Sequence, residues 1–249
     1  MSTTSAATVR QFFTETGIVV PSVTAEQMRE VDRIAVEETG PNLYQMMENA
    51  GRNLALLAID LLGRNWSSAR VVVLAGSGGN GGGGICAARH LANRRSNLLL
   101  CLADSARLAE VSAFQRKIFQ STCGKEIVAA ALPTEPVDLI LDALIGYGLK
   151  ATPHGSVAEL IRWANGAKTS ILSLDTPSGI DATTGRAPGE FIRPRWTMTL
   201  ALPKSGLLPE RTGELFLADI GIPEGIYRRM ALDYTAPFGG RSWVRLDLR

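Results

Sequence analysis

The chain has 249 residues, enough for one large α/β domain or two small ones, and its 45% hydrophobic and 20% charged content excludes a largely disordered polymer. Twenty-six Lys and Arg against twenty-four Asp and Glu leave a formal charge of +2, too balanced for a protein whose main work is gripping a nucleic-acid backbone. No apolar run approaches the roughly 18 residues of a membrane-spanning helix, the stretch up to Gly17 lacks the basic and apolar regions of a secretory signal, and Cys86, Cys101 and Cys123 are odd in number without C-x-x-C spacing. A cytoplasmic protein with reduced thiols, apart from membrane and nucleic acid, is the expectation.

Residues 1–22 are rich in Ser and Thr and read as an arm outside the core. Thr24 followed by Gln27 is a capping-box pattern and predicts a helix from Ala25. Leu43, Met46, Met47, Ala50, Leu54, Leu57, Ala58 and Leu61 then recur at three- and four-residue spacing, which predicts a second helix with one apolar stripe. Arg70–Ala75 is a short, continuous, β-branched run of the kind found in strands buried on both faces. Similar runs lie at 97–103, 126–131, 138–144, 170–175, 197–202 and 214–220, with helical patterns at 85–93, 106–120 and 157–164. Alternating strands and helices predict βαβ units, hence an α/β fold: a Rossmann-like three-layer α/β/α sandwich around a mostly parallel sheet. The last two strands have no full helix between them, so an antiparallel edge is expected there. Residues 23–225 read as a single domain. Beyond it, 226–249 forms a basic tail in which Arg228, Arg229, Arg241, Arg245 and Arg249 alternate with Phe238 and Trp243, a surface-packing or partner segment.

After the first predicted strand, seven of the nine residues from Gly76 to Gly84 are glycine. Each loses extra backbone entropy on folding, so the run is expected to serve close backbone approach to a ligand, with N–H groups facing an anion such as phosphate at the start of a helix from Ile85. It contains a G-x-G-x-x-G match, a weak signal in so glycine-rich a run, and Asp104 is the one candidate for the ribose-binding acid that usually accompanies that motif. Two other strand ends carry acids within apolar runs. Asp142 either caps the turn that follows or joins Asn80 and Ser178 in an oxygen-only shell for a hard cation. Asp175 either caps the Pro177-Ser178-Gly179 turn or belongs to a site at the carboxyl edge of the sheet. His90 reads as a partner for a neighbouring helix, His154 as an ordinary loop residue with reach of the site as the lesser alternative, and Lys204 as a phosphate contact or a solvated lysine.

In their order, Val23 to Asp32, Met47 to Arg52, the glycine run, Asp142 to Leu149, Asp175 to Asp181 and Pro203-Lys204 make the chain resemble the YjeF N-terminal domain family over about residues 22–222. The resemblance implies an NAD(P)H-hydrate epimerase, an isomerase that interconverts the R and S forms of hydrated NADH or NADPH for a separate dehydratase. It implies a homodimer that binds a dinucleotide substrate and a potassium ion (K+). Asn80, Asp142 and Ser178 fall on the potassium-ligand positions. Gly79, Asn80, Gly81, Gly82 and Gly83, the stretch Gly146, Tyr147, Gly148, Leu149, Lys150, Ala151 and Thr152, and Asp175 fall on substrate-contacting positions. The family loop runs G-x-G-N-N-G-G-D-G, whereas this chain has Gly79 in place of the first Asn and Gly83 in place of the Asp; Tyr147 stands where Thr is frequent. With the loop Asp gone, the catalytic role is expected to fall to Asp175. The alternative is a catalytically inactive nucleotide-binding paralogue that serves as a partner or sensor.

Overall fold

A computed structural model describes residues 11–94 and 97–249. Strands β1 (Phe12–Thr14) and β2 (Val19–Val20) precede helix α1 (Ala25–Ile34), which opens on the expected reciprocal cap: Thr24 Oγ1 accepts from Gln27 N, and Gln27 Oε1 accepts from Thr24 N. A π-helical turn, Ala35–Thr39, leads towards α2 (Leu43–Leu62), whose stripe buries Met46, Met47, Ala50, Leu54, Leu57 and Ala58. There follow β3 (Arg70–Ala75), α3 (Gly79–Asn93), β4 (Asn97–Leu102), α4 (Glu110–Phe119) and β5 (Lys125–Ile127), then β6 (Leu139–Ala143), α5 (Gly155–Gly166) and β7 (Ile171–Leu174). The chain ends with β8 (Trp196–Leu200), α6 (Pro209–Thr212), β9 (Glu214–Ala218), α7 (Glu224–Arg229) and β10 (Trp243–Leu248).

The ten strands form one sheet in the order β2-β1-β10-β9-β8-β7-β6-β3-β4-β5. From β9 to β5 every neighbouring pair is parallel. The central strands are covered on both sides, as their continuous apolar runs require. Val71, Val73 and Ala75 share a cluster with α2, α3 and Phe119 of α4, while Val72 and Leu74 pack with Leu160, Ile161 and Ala164 of α5.

Four expectations need correction. The arm is not wholly outside the core: β1 and β2 join the sheet, and Phe12 and Val20 are buried with α1 and α7; residues 1–10 lie outside the described part. The basic segment is no surface tail either, because β10 pairs antiparallel with both β9 and β1, burying Val244 and Leu246. The antiparallel edge therefore exists, but it is built by β10, β1 and β2, whereas β8 and β9 are parallel. Finally, the expected strand at 126–131 ends at Ile127, and Ala129–Ala131 turn into a 3-10 helix.

Candidate functional site

Strands β3 and β6 are neighbours, yet the chain leaves β3 towards β4 and leaves β6 towards β7, on opposite sides. Such a reversal opens a crevice at the carboxyl ends of the strands, where ligands of open α/β sheets bind. Three segments frame it: the glycine run after β3, residues 144–148 after β6, and Asp175 to Ser178 after β7.

Helix α3 starts at Gly79, six residues earlier than expected, with Gly78 as an N-cap that makes no side-chain bond. A Cβ built on Gly78 or Gly79 meets nothing within 4 Å, and both residues are exposed, so the start of the helix borders open space. The next four glycines have a different purpose. A Cβ at Gly82 falls 2.5 Å from Met47 Sδ and 2.7 Å from Ser112 Oγ, and one at Gly83 falls 2.7 Å from Leu174 Cδ2. At Gly81 it meets the Gly76 carbonyl and at Gly84 the Ala143 Cβ. Packing thus requires glycine at Gly81 and Gly84, where a Cβ would meet backbone or the Ala143 methyl, while at Gly82 and Gly83 it would meet only the movable ends of Met47, Ser112 and Leu174. The run is the first turns of α3 lying on the sheet and on α2, not a loop throughout as expected.

Asp142 is wholly buried and is held by four hydrogen bonds. Its Oδ1 accepts from Ser178 Oγ at 2.5 Å and Leu144 N at 3.2 Å; its Oδ2 accepts from Ser173 Oγ at 2.8 Å and Ser178 N at 3.0 Å. Burial pushes this carboxyl up, and the Ser178, Ser173 and Leu144 donors oppose it. The Leu144 bond is the turn-capping role weighed from the sequence; the others sew the end of β6 to β7 and to the Ser178 turn. Ser178 Oγ also accepts from Ile145 N at 2.8 Å.

Asp175 is buried at the end of β7 in the left-handed region, with φ of 67°. It does not cap the Pro-Ser-Gly turn. Its Oδ2 accepts from Tyr147 N at 2.9 Å, and its Oδ1 pairs with Lys204 Nζ. Lys204 is neither solvated nor offered to a phosphate: it is wholly buried and also donates to Leu200 O at 2.9 Å. Gly146 marks the point of convergence. A Cβ there falls 2.9 Å from Asp175 Oδ2 and 3.1 Å from Asn80 Oδ1. Among the described residues, buried Asn80 Nδ2 and Thr176 Oγ1 find no hydrogen-bond partner, two unanswered polar atoms at the same edge of the sheet.

The 146–152 stretch divides. Gly146 and Tyr147 lie against Asp175, and a Cβ on Gly148 meets open space. Leu149 is half-buried, whereas Lys150, Ala151 and Thr152 are exposed as the chain runs out to α5. His154 is the exposed N-cap residue of that helix. Asp104 caps its own turn through Ala106 N at 3.0 Å and lies 3.7 Å from Arg107 in the open. His90 is a helix partner, as expected: its Nε2 lies 2.8 Å from Glu48 Oε1 on α2.

Sequence reasoning missed two contributors from α1. Tyr147 Oη donates to Asp32 Oδ2 at 2.5 Å, and Arg29 Cζ lies 6.0 Å from the Tyr147 ring centroid. Charged residues of this kind are ordinary on the exposed side of an amphipathic helix, so nothing local in the sequence singled out Arg29 or Asp32. Two surface hollows on the antiparallel side, one lined by Glu15, Trp243 and Arg245 and one by Val20, Ser22 and Asp233, contain none of these residues. The crevice is defined by strand order and open glycines, not by depth.

The family model described as YjeF-related protein N-terminus matches residues 43–206. The chain is 52% identical to the NAD(P)H-hydrate epimerase of Dehalogenimonas lykanthroporepellens over 95% of this chain and 97% of that one. It is 31% identical to the enhancer of mRNA-decapping protein 3 of Macaca fascicularis over 95% of this chain, but spans only 47% of that protein. The crystal structure of yeast ynu0, YNL200c, superposes with a TM-score of 0.80 over 91% of this chain and 100% of that one; at 19% identity, it shows the fold alone.

Proposed function

Since the chain belongs to the family of YjeF-related N-terminal domains, we propose that it is an NAD(P)H-hydrate epimerase, interconverting the R and S forms of hydrated NADH and NADPH. The observation that carries the reading is the convergence of Asp175, Asn80 and Gly146 on the crevice between β3 and β6. Support also comes from the near full-length similarity to an epimerase.

Epimerisation at the hydrated ring carbon requires either loss of the hydroxyl or opening of the ring, followed by closure on the other face. Hydroxyl loss delivers a proton to the departing oxygen, whereas ring opening takes the proton from that oxygen as the C–N bond breaks and the nitrogen is protonated; closure on the other face reverses either transfer. In this reading Asp175 carries the proton transfer, supported by its position at the crevice and by Lys204, which balances its charge away from water. Gly78 and Gly79 leave room for the pyrophosphate at the start of α3, where the helix dipole favours negative charge. A potassium ion belongs to the same proposal. Asp142, Ser178 and Asn80 would hold it: Asn80 has an amide nitrogen without a partner, whereas both Asp142 oxygens already accept hydrogen bonds, so Asp142 would have to exchange a donor for the ion. When bound, the ion supplies positive charge beside the substrate. A homodimer working in the cytoplasm completes the proposal.

The test is equilibration of the separated epimers of NADPH hydrate by purified protein in potassium buffer. The wild type is expected to exceed the spontaneous rate, and Asp175→Asn to lose about 10²–10⁴ of that acceleration. A wild-type rate equal to the spontaneous one, with the dinucleotide still bound, would favour the non-catalytic paralogue.

A further inference from the structure

Tyr147 meets the crevice with three different parts of itself. Its backbone N–H donates to Asp175 Oδ2 at 2.9 Å, its ring centroid lies 5.6 Å from Lys204 Nζ, and its hydroxyl donates to Asp32 Oδ2 at 2.5 Å. The third contact crosses 115 positions of sequence and ties α1 to the site. Asp32 itself is half-buried, and burial pushes its carboxyl up, with Asp175 adding to the rise, while the Tyr147 hydroxyl and then Lys204 oppose it. Among the described residues, no Lys, Arg or His forms an ion pair with this carboxylate, and the phenol is its one recorded hydrogen-bond donor. A carboxylate kept half-dry with a single neutral donor is unfavourable by itself. Its partner, in turn, is the residue that holds one oxygen of Asp175 and covers the amine on the other.

We propose that Asp32 is a positioning residue that acts through Tyr147: by anchoring the phenol, it fixes the backbone N–H and the ring that orient the Asp175–Lys204 pair. The proposal rests on the epimerase reading for its catalytic consequence, but not for the anchor itself. Three variants separate the anchor from simple packing. Tyr147→Phe keeps the ring and removes the donor. Asp32→Ala removes the acceptor. Asp32→Asn keeps one acceptor oxygen for the phenol, replaces the other with an amide NH2 and removes the charge.

Below the unfolding transition, Tyr147→Phe and Asp32→Ala are expected to lower kcat for epimerisation by about 10- to 100-fold, the usual penalty for misplacing a catalytic group. KM is expected to change by no more than about threefold, and Asp32→Asn to keep at least about a third of the wild-type kcat. A role in fold stability alone would move the melting temperature and leave this kcat-against-KM split absent. Hydrogen–deuterium exchange at the Tyr147 amide supplies a readout free of activity. It should quicken about tenfold or more in Tyr147→Phe and Asp32→Ala but not in Asp32→Asn. Wild-type kcat in the first two variants, or equal damage in Asp32→Asn and Asp32→Ala, overturns the proposal. Unchanged exchange in all three overturns it too, even if epimerisation is present. An inactive wild type whose amide exchange follows the expected pattern leaves the anchor standing and removes the epimerase reading.

Discussion

Asp175 occupies backbone that L-residues enter at a cost of about 1–3 kcal/mol, and Asp is among the few side chains that tolerate it. That strain aims its carboxylate away from the turn it precedes and towards Tyr147 and Lys204. The consequence is a buried ion pair whose halves depend on each other. Lys204→Met is expected to destabilise the protein by about 3–5 kcal/mol in urea titration, because it strands the carboxylate without its cation. Asp142 and Asp175 were legible in the sequence as acids inside apolar runs, since a buried charge must be answered by something. What answered them was not. Asp142 turned out to be held by two serines and two backbone N–H groups, and Asp175 by a lysine on a different strand connection. A one-dimensional pattern shows that a partner is required without showing which residue supplies it.

At the scale of elements, the contact between α2 and α3 is made possible by the glycines at the start of α3. They divide into two groups with opposite responses to the same substitution. Gly84→Ala drives a methyl group into Ala143 and is expected to cost about 1–3 kcal/mol. Gly79→Ala meets no atom and is expected to cost nothing, or to gain up to about 1 kcal/mol from helix propensity, while narrowing the ligand's approach. Melting curves of the two variants, with and without NADPH, check both halves. Further along the same contact, Arg89 Nη2 donates to both oxygens of Glu48 at 2.6 and 2.5 Å, and His90 adds its ring nitrogen. Burial pushes the Glu48 carboxyl up, but Arg89 and His90 outweigh it and bring the group down to about 2. A folded-state value below the unfolded one means the pair contributes fully above the ordinary carboxylate range and fades as pH falls towards about 2. The stability difference between wild type and Glu48→Gln should therefore shrink from about pH 5 downwards, and shrink with salt as well, because the Glu48 side chain is 42% exposed.

Across the whole molecule, segments 12–20 and 243–248 complete the sheet. β10 lies between β9 and β1, so Val244 and Leu246 are core residues although they stand at the end of a basic, interrupted stretch. Val244→Asp is expected to cost about 3 kcal/mol or more, through an unpaired buried charge, and to lower the melting temperature measured by circular dichroism. A surface-packing segment would tolerate the same change. The parallel half of the sheet was readable because central strands covered on both faces must be continuously apolar. The antiparallel half alternates, as Val244, Arg245 and Leu246 do with buried, exposed and buried faces, and over so few residues that signal is shared with ordinary loops.

The sequence by itself determined the α/β class, the capped and striped helices, the central parallel strands and the family, because periodicity, capping chemistry and motif order are local properties of the chain. Only the tertiary structure decided which glycines border open space and which pack against neighbouring elements, that Lys204 answers Asp175, that Asp32 reaches Tyr147, and that β1, β2 and β10 complete the sheet. Each of those depends on distances between segments far apart in sequence, and such distances come into being only when the whole core packs.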